Sequence, residues 1–349
     1  MGERTADSYP GVTTNMQRFL IIQTAFIGDV VLATSIIEKL HFHFPESQID
    51  FLLRKGNESL LAGHPLLNEV MIWDKQKNKF RNLWKTIRMV RKRKYDKVIN
   101  IQRFAATGIL TALSGGGERI GFDKNPFSFL FTTKVKHIIG EGGLHEIDRN
   151  TELIRHFTDA PVFKPRLYPS TQDEAAVVNY KKGDYITISP SSVWFTKQFP
   201  KEKWIELIRI LPAQYTIYLL GGAADIELGE TIKRDAGHPS VVNLSGRLSF
   251  LQSAVLMKDA VMNYVNDSAP MHFASSVNAP VTAVYCSTLP SFGFGPLSDS
   301  QRIVEIDYHL YCRPCGLHGK KQCPEGHFKC AYDIKIAQLS SSLPSYQDK

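Results

Sequence analysis

Phe19-Leu20-Ile21-Ile22-Gln23-Thr24-Ala25-Phe26-Ile27-Gly28-Asp29 opens the patterned part of the chain. Phe19–Thr24 begins with four apolar residues and is too short for a core helix, whereas Val30, Ala33, Ile37, Leu40 and Phe44 follow at spacings of three and four. Such a pattern is a buried strand, a tight turn at Gly28 and an amphipathic helix. Asp29 stands at the helix start, where a carboxylate is either a cap or, at a strand's end, a general base. The turn lacks Gly-x-Gly-x-x-Gly and any Walker phosphate loop, which removes the main support for a dinucleotide oxidoreductase or a P-loop enzyme.

The same alternation continues outward. Strand-length runs at Gln48–Leu53, Val70–Trp73 and Lys97–Ile101 lie among helical patterns at about 30–43, 79–93 and 104–113. A second series has strands at Tyr185–Ser189, Thr216–Leu220, Val241–Asn243, Val261–Val265 and Val281–Tyr285. Its helices fall at about 201–211, 223–236, 249–258 and 270–277. Alternating short strands and amphipathic helices predict α/β architecture with parallel sheets. Two series separated by Pro161–Pro169 predict two domains, 16–165 and 166–335, with residues 1–15 a flexible extension. Ligands of such sheets bind at the carboxyl ends of strands.

Two further strand ends carry chemistry. Ile188-Ser189-Pro190-Ser191-Ser192-Val193-Trp194-Phe195-Thr196-Lys197-Gln198-Phe199-Pro200 runs from a strand into hydroxyl residues, a lysine and a helix start. Ser191, Ser192 and Lys197 are what a diphosphate requires, although Lys197 also reads as an ordinary surface lysine. Asn266-Asp267-Ser268-Ala269-Pro270-Met271-His272 runs from a strand into a helix whose free N–H groups suit an anion. Separately, Asp267 is a cap and His272 a core histidine; together with Ser268 they read as a ligand site.

With these loops in view, the chain resembles the ADP-heptose:lipopolysaccharide heptosyltransferases, the inverting glycosyltransferase family 9, from about Met16 to Leu339. The resemblance rests on the Gly28-Asp29 turn and on Lys94-Tyr95-Asp96 before a strand ending at Gln102. It extends over Arg119-Ile120-Gly121-Phe122, the Pro190…Lys197…Phe199-Pro200 loop and Leu244-Ser245-Gly246. Its strongest piece is Asp267-Ser268…Met271-His272, followed by Pro280 and a strand to Tyr285. The resemblance implies a GT-B fold, two Rossmann-like domains facing a central cleft. It makes Asp29 the base, sets Lys197 against the donor diphosphate, and puts Asp267, Ser268, Ala269 and His272 around the donor. Gly28 and Arg119 would fall on the acceptor side. It also implies an ADP-sugar donor, an anionic lipopolysaccharide-core acceptor and no catalytic cofactor. Two departures bear on the donor and acceptor: Ser268-Ala269 stands where the family usually has Thr-Gly, and Asn100 where an acidic residue usually precedes the glutamine.

Four of the five cysteines, Cys312, Cys315, Cys323 and Cys330, cluster near the C-terminus. In a cytoplasmic chain such a set suits a structural zinc ion, with reduced thiols and disulfides as the other readings. Cys286 reads as a small buried residue.

Charge and composition bound the remaining classes. Hydrophobic content of 43 % and charged content of 22 % are those of a globular protein. The first fifteen residues lack the apolar core of a secretory signal, so a cytoplasmic location is expected. The net charge of +8 is concentrated in Lys75–Lys97, where eleven Lys or Arg face one acid, Asp96. Phe80, Leu83, Trp84, Ile87 and Val90 form a helical stripe expected to pack on the core. The cations outside it are a solvated face or a surface for nucleic acid or anionic lipid. A nucleic-acid-binding protein with a zinc module would use the basic helix and the cysteines, but leaves the strand-end loops without a purpose. An idle sugar-nucleotide binder would need Lys197 and Asp267 but not Asp29. The transferase reading, with peripheral contact at the inner membrane surface and no nucleic acid, accounts for all of them. A transferase for a different nucleotide sugar is its nearest alternative.

Overall fold

The computed structural model describes residues 16–76, 78–140 and 144–343. The extension expected at 1–15 lies outside the described residues.

The first half contains β1 Arg18–Ile22, α1 Ile27–His43, β2 Gln48–Arg54, β3 Glu69–Trp73, α2 Lys79–Arg93, β4 Lys97–Asn100, α3 Ala105–Ala112, β5 Glu118–Phe122, β6 Thr133–Val135 and α4 Glu146–Glu152. The second continues with α5 Thr171–Val177, β7 Tyr185–Ser189, α6 Lys201–Ile210, β8 Thr216–Leu219, α7 Ile226–Ala236, β9 Val241–Asn243 and α8 Phe250–Lys258. It ends with β10 Met262–Asn266, α9 Ala269–Ser276, β11 Val281–Val284, β12 Gln301–Val304, α10 Lys329–Tyr332 and α11 Ile336–Ser340.

Two six-stranded sheets result, ordered β3-β2-β1-β4-β5-β6 and β12-β11-β10-β7-β8-β9. Every pair is parallel, for example Ile21 opposite Phe51 and Ile99, and Tyr264 opposite Ile188 and Thr282. Numbered within its own half, the second sheet repeats the 3-2-1-4-5-6 order of the first. That is the doubly wound Rossmann order, with a crevice at the switch point between the first and fourth strands. The central strands β7 and β10 are buried along their whole length, as helices on both faces require.

One apolar cluster runs through both halves, from Phe19, Ile37 and Phe51 to Leu256, Met271, Phe273 and Val281. Helices α1 and α9 supply the junction. The chain between the halves is strapped to α1: Lys39 Nζ, fully buried, bonds Asp159 O and Pro161 O at 2.6 Å, and Thr34 Oγ1 accepts from Arg166 N at 2.9 Å.

The helical stripe expected at Phe80–Val90 is corrected in part. Leu83, Ile87 and Val90 are buried, but Phe80 is 76 % and Trp84 54 % exposed. Both rings stand at the border of the stripe, where nothing packs over them. No helix among the described residues is long and apolar enough to cross a membrane.

Candidate active site

The two switch points face each other across a cavity of about 320 Å³. From the first half come Gly28, Asp29 and Phe26, after β1, and Arg54 at the end of β2. From the second come Ser192, Trp194 and Lys197, after β7, and Asp267, Ser268, Ala269 and His272, after β10. The walls nearly touch: a Cβ on Gly28 would lie 2.7 Å from the His272 ring, so only glycine admits this approach.

Asp29 occupies the third position of α1, and its Oδ2 accepts from Phe26 N at 3.2 Å. It therefore does cap the helix, while also lining the cavity. Burial raises its carboxyl above the ordinary range, opposed by the backbone N–H groups of Phe26 and Asp29 and by the charges of Lys197 and Arg54. A carboxylate of raised basicity, held by backbone N–H groups and lining a cleft, is equipped to take a proton.

On the opposite wall Lys197 Nζ lies 2.8 Å from Asp267 Oδ2, which also accepts from Thr288 Oγ1 at 2.6 Å. An ammonium has three N–H donors, so the aspartate orients Lys197 without consuming it. His272 is buried in α9, and its Nδ1 has no partner within the protein. Burial holds its pKa down at about 3, with the charges of His145 and Lys197 acting in the same direction, so the ring enters the site neutral. Ser268 is the N-cap of α9 and Ala269 its first residue; Pro270 has no N–H and Met271 N donates to Ser268 O at 3.1 Å, which leaves the Ala269 N–H and the positive end of the helix dipole at the cavity. Because Ala269 sits in helical conformation, the position does not call for glycine's freedom, and the departure from Thr-Gly is accommodated.

Not every expected residue joins this group. Ser191 does not line the cavity; its carbonyl accepts from Asn266 Nδ2 at 3.3 Å. Arg119 lies in the early half of β5, with Nη1 3.0 Å from Gly116 O, and does not line the cavity either. The four clustered cysteines surround a separate cavity of about 300 Å³. The zinc expectation is not supported. Among the described residues no group of three or more His, Cys, Asp or Glu side chains is placed to hold a metal ion. Burial raises the Cys312, Cys315 and Cys330 thiols, with neighbouring sulfurs adding to the shift, the last to about 12.

Three contributors escaped the sequence reading. Asn266 ties β10 to the loop after β7, donating to Pro190 O at 2.9 Å and accepting from Phe199 N at 2.9 Å. The cysteine-bearing loop buttresses Lys197: Lys320 N donates to Thr196 Oγ1 at 2.7 Å, Thr196 N to Lys320 O at 3.1 Å, and Leu317 and His318 line the cavity. The third is a clasp between the halves. Arg149 donates to Phe292 O at 3.0 Å and Leu144 O at 2.6 Å and pairs with Glu146, while Glu146 N donates to Gly293 O at 2.7 Å. His145 Nδ1 accepts from Ile147 N, so Nε2 carries the proton that meets Gly295 O at 3.0 Å. Only the backbone carbonyls and their spacing reveal this clasp; no local motif marks it.

Two facing Rossmann-like sheets, with a carboxylate on one wall and a lysine beside a helix N-terminus on the other, define a sugar transferase of the GT-B class. Residues 83–328 match the model of glycosyltransferase family 9 (heptosyltransferase), and the chain belongs to that family. Among relatives, lipopolysaccharide heptosyltransferase 3 of Escherichia coli is 25 % identical over 281 residues, 75 % of this chain and 82 % of its own. Lipopolysaccharide heptosyltransferase 2 of the K12 strain is 22 % identical over 349 residues, 93 % of this chain and 97 % of its own. Among solved structures, the family 9 glycosyltransferase of Veillonella parvula superposes with a TM-score of 0.81 at 18 % identity, covering 95 % of this chain and 98 % of its own. E. coli ADP-heptose lipopolysaccharide heptosyltransferase II gives 0.76 at 20 %, covering 93 % and 97 %. E. coli heptosyltransferase WaaC with ADP gives 0.71 at 19 %, covering 93 % and 98 %. The fold expected from the sequence, and the enzyme class, are borne out.

Proposed function

We propose that this glycosyltransferase moves a heptose from ADP-heptose to a lipopolysaccharide-core acceptor by one inverting displacement. The observation that carries the reading is the confrontation of Asp29 with Lys197, Asp267 and His272 across one cleft. Residues 16–165 bind the acceptor and 166–335 the donor. The relatives named for heptose transfer and the solved neighbour holding ADP support donor and acceptor class.

Asp29 accepts the proton of the acceptor hydroxyl as its oxygen attacks the anomeric carbon. The bond from that carbon to the diphosphate oxygen breaks, and ADP leaves with the electron pair. Lys197, the Ala269 N–H and the positive end of the α9 dipole meet the charge that develops on the diphosphate. Ser192, Ser268, Ala269 and the neutral His272 ring line the donor's path. Gly28 lets the acceptor wall approach this array. The enzyme works in the cytoplasm, at the inner membrane surface where its lipid-linked acceptor lies.

Incubation of the purified chain with ADP-heptose and lipopolysaccharide-core acceptor tests this. The product should gain one heptose with its anomeric configuration inverted. Release of ADP without a glycosylated acceptor, or retention of configuration, refutes it.

A further inference from the structure

Helix α2 exposes Arg81, Lys85, Arg88, Arg91 and Lys92 together with Phe80 and Trp84. Leu83, Thr86, Ile87 and Val90 fill the opposite side. At 3.6 residues per turn, Phe80, Trp84 and Arg91 border the buried arc, and Arg81, Lys85, Arg88 and Lys92 fan across the outward face. Ion pairs in this region go to Arg93 and Lys97 instead, leaving the five cations without a carboxylate partner among the described residues. The helix begins just beyond the cleft-facing end of β3, and Lys75 in the connection donates to Thr24 Oγ1 at 2.7 Å, in the loop that leads to Asp29. Its aromatic end therefore adjoins the acceptor side of the cleft.

We infer that this face of α2 docks the enzyme on an anionic lipid bilayer, with Phe80 and Trp84 entering the headgroup layer and the arginines and lysines meeting lipid phosphates. Amphipathic rings settle at the membrane–water boundary, and juxtaposed cations add attraction to an anionic leaflet. What sets this face apart is the pairing of two exposed rings with five cations on one helix, which a bilayer satisfies together. Preferring a bilayer to nucleic acid rests on the proposed lipid-linked acceptor, which such docking would bring to the cleft mouth.

The test is sedimentation of the full chain with vesicles of phosphatidylcholine alone or mixed with phosphatidylglycerol. The protein should bind the anionic vesicles and be released by salt. Trp84 emission should shift to the blue and be quenched by brominated lipid, a signal absent from Trp84→Phe. Replacing Arg81, Lys85 and Arg88 together by Gln should weaken partitioning by about two orders of magnitude, and Phe80→Ser with Trp84→Ser should lower the fraction that sediments with the anionic vesicles. Both variants should keep the wild-type rate on an acceptor stripped of its acyl chains. Equal binding to neutral vesicles, unchanged partitioning of the triple variant, or tighter binding to a short DNA duplex than to the anionic vesicles overturns the inference. Vesicle binding is read without substrate, so a failure to transfer heptose counts against the proposed reaction and leaves the docking result standing.

Discussion

Arg149, in α4 of the first half, donates a hydrogen bond to the carbonyl of Phe292 in the second half at 3.0 Å. The guanidinium also bonds Leu144 O and Glu146 and lies over the Phe294 ring, 5.5 Å from its centroid. Phe292 and Phe294 both line the cleft. One buried side chain thus braces the aromatic edge of the site against the opposite domain. Removing one partner of a buried ion pair typically costs about 3–5 kcal/mol. Arg149→Ala should therefore lower the melting temperature and kcat while leaving ADP affinity close to wild type, because Lys197, Asp267 and His272 make no contact with Arg149 and stay in place. Arg149→Lys should not rescue it, since an ammonium lacks the planar fork. Melting curves and ADP titration calorimetry check this; a wild-type melting curve would refute the brace.

Glu146, the ion-pair partner of Arg149, is pushed up to about 7, chiefly by burial, with Asp29 adding to the shift and Arg149 opposing it. A carboxyl whose folded pKa exceeds its unfolded value of about 4.5 contributes stability below that value and loses it as pH rises toward 7. Glu146→Gln should remove this loss. Its stability relative to wild type should increase between about pH 4.5 and pH 7 and level off above. Urea denaturation at several pH values measures the difference; a pH-independent difference would show that folding does not shift the Glu146 pKa.

Asp29→Asn retains an oxygen for Phe26 N–H but no longer accepts a proton. Transfer should fall by about 10²–10⁴-fold, with ADP affinity little changed. Wild-type turnover would reduce Asp29 to a helix cap, and a parallel loss of ADP binding would assign it to holding the turn.

Lys197→Ala does two things at once: it removes a cation, and it leaves Asp267, 5 % exposed, as an uncompensated anion held by Thr288. Loss of a charged hydrogen bond is worth about 1.5–3 kcal/mol, so ADP affinity should drop by at least about tenfold. Adding Asp267→Asn should recover part of that loss, giving a favourable coupling in a double-mutant cycle. Strictly additive losses in ADP titrations would mean that the pair does not act as a unit.

The central strands were legible because buried parallel strands are almost continuously apolar, as in Phe19–Ile22 and Val281–Val284. β6, Thr133-Lys134-Val135, and β12, Gln301-Arg302-Ile303-Val304, were not. They lie at sheet edges, where polar residues meet water and the alternation signal fades. Asp29, Lys197, Asp267 and His272 stood out because strand ends gather a Rossmann site. The clasp did not, since Arg149 and Phe292 are 143 residues apart and meet through backbone carbonyls, which leave no trace in side-chain pattern. Phe80 and Trp84 show a third limit: periodicity gives the angle of a residue on its helix, not whether a neighbour covers it. The basic helix and the cysteine loop were both visible as composition, yet the loop's support of Lys197 through Thr196 depends on tertiary contact alone.

The apolar cluster that passes from α1 into α9 has a consequence for the rate itself. Since the two walls share packed side chains, the spacing between Asp29 and Lys197 depends on the volume of the core between them. A slightly larger side chain at Ala274, buried in α9 within the shared cluster, should lower turnover by shifting the two walls relative to each other.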